Sequence, residues 1–144
     1  MRPLLLGLLA LAACQPGPRG PVTEGGALAD GDDRLASGEF FDAFEVHARA
    51  GQWIRVEVVA RGFDPYLIVR SPAQEQSEVD DSDAGDTART AMAVRAAESG
   101  RWTVLVTSFA PGATGSYQLT TEVTDAAPPD RTPVETGQPP AIEV

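Results

Sequence analysis

The densest group of potential metal-ligand side chains is an acidic run in the middle of the chain. Residues 78–86 carry five carboxylates in nine positions, and four of the five are Asp80, Asp81, Asp83 and Asp86. Hard cations such as Ca²⁺ take about six to eight oxygen ligands, which an acidic loop can supply. The spacing is not that of an EF-hand, because the twelfth position counted from Asp81 is Met92 rather than glutamate. The run therefore indicates either a calcium site or a solvated acidic loop.

The residue types give little support to catalysis. His47 is the only histidine, and its strand pattern places it on an outward face. A nucleophile needs a positioned base nearby, and a zinc site needs about three or four His or Cys ligands. A carboxylate-pair hydrolase stays open on composition alone, although nothing in the sequence places two acids across a cleft. We therefore expect a protein that is not an enzyme.

Trp53 is the residue that best suggests ligand binding. It alternates with Ile54, Val56 and Val58, which places it on the outward face of the same strand. An exposed tryptophan can stack on a sugar or a peptide. It can also simply cover its neighbours Arg55 and Val59. We expect an exposed side chain with one of these two roles.

Cys14, the only cysteine, follows an apolar segment at the start of the chain. Leu4 to Ala13 is a ten-residue apolar run after Arg2, too short for the roughly 20 residues of a spanning helix. The tetrad Leu11-Ala12-Ala13-Cys14 resembles the lipobox of bacterial lipoproteins, which implies cleavage before Cys14 and attachment of acyl chains to it. An ordinary secretory signal that happens to contain a cysteine is the alternative. Gln15, rather than Asp, implies by the same resemblance an outer-membrane location in a Gram-negative envelope.

The two flanks of the chain differ in composition from its centre. We expect a signal peptide at 1–13, a Pro/Gly-rich tether at 14–27, a folded domain at 28–124 and a disordered Pro-rich tail at 125–144. The tail could also be a Pro-rich ligand for a partner, but it lacks a PxxP core with suitable flanking arginines.

The sequence of the central region predicts many short strands. Apolar residues alternate with polar ones over 40–48, 53–61, 66–70, 88–96, 101–108 and 116–123, with Gly or Pro turns between most of these segments. Ala50-Gly51 is expected to close a hairpin between the first two, and 73–87 is expected to be a polar loop. The pattern predicts an all-β fold, either an antiparallel sandwich or a barrel, and we favour the antiparallel β-sandwich.

The charge balance excludes one class of partner. Eleven arginines and no lysine stand against 21 acids, which gives a net charge of −10. Removing the signal with Arg2 would make the charge −11. Phosphate backbones require clustered basic side chains, so we expect no nucleic-acid binding.

The order and spacing of several short motifs resemble the bacterial pre-peptidase C-terminal (PPC) domain. The resemblance spans nearly all of 28–124 and implies a jelly-roll-like sandwich without intrinsic enzymatic activity. Trp102 stands where the family usually has Tyr or Phe. Asp42 and Asp64 recur in the pattern, and we expect both to tie down turns. The matching residues are Asp42-Ala-Phe44-Glu-Val46, Ala50-Gly51-Gln52, Phe63-Asp64-Pro65-Tyr66-Leu67, Asp80-Asp81, Gly85, Ala88, Gly100-Arg-Trp102 and Gly115-Ser-Tyr117-Gln-Leu119.

Some PPC domains bind calcium near an N-terminal acidic segment, and Asp30, Asp32 and Asp33 are the acids at that place here. PPC domains usually follow a secreted hydrolase, and the 144 residues contain no hydrolase motif. The sequence thus leads us to expect a lipid-anchored envelope module that binds a protein, a polysaccharide or a matrix component. The alternative is an accessory factor that aids the folding or retention of a separately encoded hydrolase.

Overall fold

A computed structural model describes residues 19–79 and 87–128 and the short strand at 134–135. The described residues form strands and connections and contain no helix. In chain order the strands are β1 (Arg19–Leu28), β2 (Phe41–Ala48), β3 (Trp53–Arg61), β4 (Pro65–Arg70), β5 (Gln76–Val79), β6 (Arg89–Arg95), β7 (Gly100–Ser108), β8 (Gly115–Thr124) and β9 (Val134–Glu135).

Two sheets pack face to face. The first has the strand order β1-β8-β3-β6-β9, and the second has the order β2-β7-β4-β5. All neighbouring pairs are antiparallel except β6 and β9, which pair in parallel over two residues. The eight longer strands follow the order of a jelly roll, in which the chain repeatedly crosses between the sheets. The predicted antiparallel, jelly-roll-like sandwich is confirmed.

The core lies between the sheets and is built by the predicted alternation. Ile54, Val56 and Val58 of β3 point inward and are almost completely buried, and Trp102 of β7 packs into the same cluster. Because side chains on a strand alternate between its faces, every second apolar residue leaves water. The inward faces that the sequence predicts for the long strands are confirmed.

The connection at Ala50-Gly51 differs from the expectation. The pattern predicts a hairpin between β2 and β3, whereas β2 pairs with β7 and β3 lies in the other sheet between β6 and β8. The turn therefore carries the chain from one sheet to the other, with Gly51 at a φ of 91°. Local alternation specifies the two faces of a strand but not its neighbours, so the hairpin prediction was wrong.

Two strands lie where composition predicts none. Strand β1 begins at Arg19, inside the range expected to be a tether, and β5 lies inside the expected polar loop. Most of β1 is exposed at the sheet edge, so it has no apolar alternation to reveal it. Gly26 lies against the ring of Tyr117, where a side chain would collide with the phenol oxygen. This close approach requires glycine and explains part of the tether-like composition.

The strand directions give the sandwich two ends of different character. The turn end holds the connections at 49–52, 71–75 and 96–99 and the start of β1. The loop end holds the connections at 29–40, 62–64 and 109–114, and β5 ends and β6 begins there. None of the described segments is a helix that could cross a membrane.

Candidate functional site

The outer face of the four-stranded sheet carries an open groove of about 390 Å³. Its principal lining residues, on β4, β5 and the β7–β8 loop, are Tyr66, Ile68, Arg70, Gln76, Glu78 and Phe109. We call this feature the sheet groove. Residues 66, 68 and 70 share one face of β4, and the register brings 76 and 78 of β5 beside them on that face. Two short strands therefore determine most of the groove.

Hydrogen bonds connect four of the polar side chains into one chain. Arg70 Nε donates to Gln76 Oε1 at 3.0 Å, and Gln76 Nε2 donates to Glu78 Oε1. Tyr66 Oη donates to the other oxygen of Glu78 at 2.7 Å. The network fixes the direction of each of these polar groups, because each bond has a defined donor and acceptor. A guanidinium, an amide, a carboxylate and a phenol are thus held side by side along the groove.

The floor and one wall of the sheet groove are rigidly supported. Ile68 is buried on the outer side of β4 beside its cross-strand neighbour Leu105. The β1–β2 connection forms the wall, and Thr107 Oγ1 donates to the Phe40 carbonyl at 2.6 Å to hold it against β7. Phe109 stands at the rim with 61% of its surface exposed. Ligand-binding surfaces typically combine these features: an apolar floor, a polar network and an exposed aromatic ring.

The outer face of the five-stranded sheet also contains a groove, of about 410 Å³, between Arg55, Ala93 and Pro128. Arg55 Nη1 lies 3.3 Å from Glu122 Oε2, and Arg55 Nη2 donates to the Ala126 carbonyl at 3.3 Å. The segment 125–128, which follows β8, therefore crosses this face. We call this feature the covered groove.

Trp53 lies on the same outer face but is not exposed. Only 7% of its surface is accessible, and it does not belong to the core cluster between the sheets. Next to it, Gln52 Nε2 donates to Asp125 Oδ1 at 3.2 Å, which holds the start of the crossing segment at this point. The prediction of an exposed Trp53 was wrong, because alternation identifies the outward face of a strand but not how much of that face remains in contact with water. Trp53 is therefore no open stacking platform.

The four aspartates of the acidic run lie outside the described residues. Asp80, Asp81, Asp83 and Asp86 fall between the end of β5 and residue 87, and calcium binding there stays a prediction. Within 19–79 and 87–128 no three His, Cys, Asp or Glu side chains are arranged to hold a metal ion. Asp32 of the N-terminal acidic segment instead accepts the Ala29 amide at 2.7 Å, a turn-forming bond. Cys14 also lies outside the described residues.

The remaining predicted functional residues lie apart from both grooves. His47 is exposed on β2 opposite Arg101. Asp42 accepts a hydrogen bond from Tyr117 Oη across the sandwich, rather than tying down its own turn as predicted. Burial, and then the hydrogen bond to Asp42, raise the pKa of Tyr117. Phe44 and Phe63 meet the Tyr117 ring edge-on, with centroids 6.4 Å away. Asp42 thus has a structural role.

Comparison with known proteins adds no relative. No protein-family model matches the chain, and no curated protein matches it. The established class is therefore that of the fold, an antiparallel β-sandwich with jelly-roll strand order. The sequence did not reveal the sheet groove, because Gln76 and Glu78 lie in a stretch rich in polar residues. Their alternation with Ser77, which is buried, was the one available signal.

Proposed function

We propose that this protein is a lipid-anchored, non-enzymatic binding module of a Gram-negative cell envelope, attached to the outer membrane through Cys14. The lipobox-like Leu11-Ala12-Ala13-Cys14 and the apolar run before it support the anchor. The resemblance of 28–124 to PPC domains, together with the jelly-roll strand order, supports a module that acts by binding. Fold alone does not define a ligand, so the ligand must be argued from the sheet groove.

The ligand that we propose for the sheet groove is a saccharide of the envelope. The observation that carries this proposal is the hydrogen-bonded row Tyr66, Glu78, Gln76 and Arg70. Neighbouring hydroxyls of a sugar each donate and accept, and they pair best with side chains that offer fixed donors and acceptors in a line. The exposed Phe109 at the rim offers a ring on which an apolar sugar face can stack.

A titration with purified envelope polysaccharides and their oligosaccharide fragments tests this ligand class. We expect saturable binding that Gln76→Ala weakens about tenfold, because the amide joins both halves of the network. Arg101→Ala is the matched control, since Arg101 is exposed on the same sheet but outside the groove. Equal affinities of wild type and Gln76→Ala would overturn the site. Absence of saccharide binding, with co-purification of a secreted hydrolase, would favour the accessory function instead.

Metabolic labelling tests the anchor independently of the groove. Labelled palmitate should enter the wild-type protein and not Cys14→Ser, and Cys14→Ser should leave the membrane fraction for the soluble fraction. Unchanged membrane partitioning of Cys14→Ser would overturn the lipid anchor.

A further inference from the structure

The sheets end in edge strands, and most of these edges carry features that hinder pairing with another chain. Strand β1 contains Pro21, which has no N–H to donate, and its register with β8 shifts after Arg19. It also carries a glutamate, Glu24, on its inward face. Strand β5 has only four residues, and β6 already pairs at one end with β9. These devices are typical of edges that stay unpaired.

Strand β2 is the edge without such a feature. Its eight residues include no proline and keep an unbroken register with β7. Phe41 N donates to the Asp33 carbonyl at 2.9 Å, on the side away from β7. Because backbone groups of successive residues point to alternate sides of a strand, those of Ala43, Glu45 and His47 also point away from β7. All three residues are exposed, and nothing in the described part of the chain pairs with this row of backbone groups.

An exposed apolar side chain lies beside this edge. Asp42 and Gly26 both contact Tyr117, which places them at the same height on β2 and β1. Four residues further toward the turn end, each strand places a valine on its inward face, Val46 on β2 and Val22 on β1. Val46 is buried, whereas Val22 is 51% exposed. The sandwich is therefore incompletely closed between β1 and β2.

We propose that two copies of this chain associate by antiparallel pairing of their β2 strands, with Glu45 of each copy opposite His47 of the other. The two-fold axis then passes through position 46, and about four backbone hydrogen bonds form, two for each pair of opposite residues. An imidazole N–H can donate to the carboxylate that faces it. Val22 lies at the height of the axis, so the two copies of this exposed side chain approach each other and leave water. The proposal depends neither on the lipid anchor nor on the sheet groove.

The charges along the edge favour this register. Moving the axis from position 46 to 45 would set Glu45 opposite Glu45, and like charges directly opposite are unfavourable. In the proposed register Glu45 is instead diagonal to Arg49 of the other copy. On its own copy Glu45 lies 3.3 Å from Arg101, which stands opposite His47 on β7. Glu24 lies off the axis, on opposite sides in the two copies.

Sedimentation equilibrium of the full-length protein in density-matched detergent tests the association. We expect a monomer–dimer equilibrium with a dissociation constant on the order of 10 µM, since the interface is small. Glu45→Lys should raise this constant about tenfold, because the lysine then faces His47 and Arg49 of the other copy. Combining Glu45→Lys with His47→Glu reverses the pair and should restore the association. Glu75→Lys, the same charge change at an exposed position on the β4–β5 connection, is the matched control and should have no effect.

Two further variants test the backbone pairing and its register. His47→Pro removes an N–H that points away from β7, so it should abolish the dimer and leave a cooperative urea transition. In the Cys14→Ser background, Glu45→Cys and His47→Cys should form an intermolecular disulfide when mixed and not when each is alone. Residues opposite each other in an antiparallel pair have Cα atoms about 5.5 Å apart, which suits a disulfide.

Three results would overturn the proposal. A wild-type protein that is monomeric at about 100 µM would exclude the association. A dimer that persists in both Glu45→Lys and His47→Pro would exclude the β2 edge as the interface. A disulfide in Glu45→Cys alone would exclude the register in which Glu45 faces His47.

Discussion

The outer faces of the two sheets are built from similar residues, yet one is covered and the other is open. Both carry arginines, glutamates and an aromatic side chain. On the five-stranded sheet the segment 125–128 crosses the face, and Trp53 is 7% exposed. On the four-stranded sheet the β1–β2 connection only forms a wall, and the row from Tyr66 to Arg70 stays accessible. In a sandwich, therefore, an outward position means only that a side chain points away from the core.

Among the variants that test this contrast, Trp53→Ala should have the largest effect. Because Trp53 is buried, we expect the free energy of unfolding to fall by about 3 kcal/mol, as measured by urea denaturation. Saccharide affinity of the folded variant should stay unchanged. Tyr66→Ala on the open face is the matched variant, with a stability loss of about 1 kcal/mol or less and a clear loss of affinity. A stable Trp53→Ala protein with weakened binding would reverse the assignment of the two faces.

Removing the crossing segment should convert the covered face into an open one. A chain ending at residue 124 loses the bonds of Gln52 to Asp125 and of Arg55 to Ala126, and it exposes apolar surface. We expect a loss of about 2 kcal/mol in urea denaturation. A chain ending at residue 135 retains both bonds and serves as the control. Equal stability of the two truncated chains would show that the segment does not stabilise this face.

The interior beneath both faces should respond to alkaline pH through Tyr117. The ordinary pKa of a tyrosine is 10.0, and burial together with Asp42 raises that of native Tyr117. Its stabilising contribution is therefore fully present below pH 10 and is lost as the pH rises above it, because only the unfolded chain then releases the proton. The loss should steepen as the pH rises and reach about 1.4 kcal/mol per pH unit roughly one unit above the ordinary pKa. In urea denaturation at about pH 9 to 11, Tyr117→Phe should abolish this dependence of the free energy of unfolding on pH. An identical dependence in both proteins would contradict the role assigned to Tyr117.

On the open face, Tyr66→Phe should separate binding from stability. The variant keeps the ring and loses only the hydroxyl that donates to Glu78 at 2.7 Å. We expect saccharide affinity to fall about fivefold, with a stability change of about 0.5 kcal/mol. Calorimetric titration and urea denaturation of the same preparations measure both. Full affinity in Tyr66→Phe would mean that the network does not contact the ligand.

The smallest expected difference concerns two ion pairs with the same separation of 3.3 Å. Arg55–Glu122 lies on the covered face with side chains 31% and 28% exposed, whereas Arg101–Glu45 lies on the open face with side chains 64% and 59% exposed. Glu122→Gln should cost about 0.5 kcal/mol and Glu45→Gln less, because water screens the exposed pair more strongly. A larger loss in Glu45→Gln would contradict the difference in covering.

Part of the site could be read from sequence and part could not. Strand β4, which carries Tyr66 and Arg70, follows from β-forming residues between turn signals, and the inward residues Leu67 and Val69 are buried as the pattern requires. The sequence pattern did not predict strand β5, because its four residues are mostly polar and its partner β4 supplies the apolar contacts. The sheet groove depends on the register of these two strands, which is a non-local property.

By itself the sequence determined the fold class and the residues of the core. The period of two in β2, β3, β6, β7 and β8 requires one buried face per strand. A chain of such strands buries those faces by packing one sheet on another or by closing a sheet into a barrel. The tertiary structure alone decided which strands are neighbours, that Trp53 is buried and that the side chains of β4 and β5 form one hydrogen-bonded row. These features arise from contacts between segments far apart in sequence. Local alternation contains no information about which distant segments come into contact.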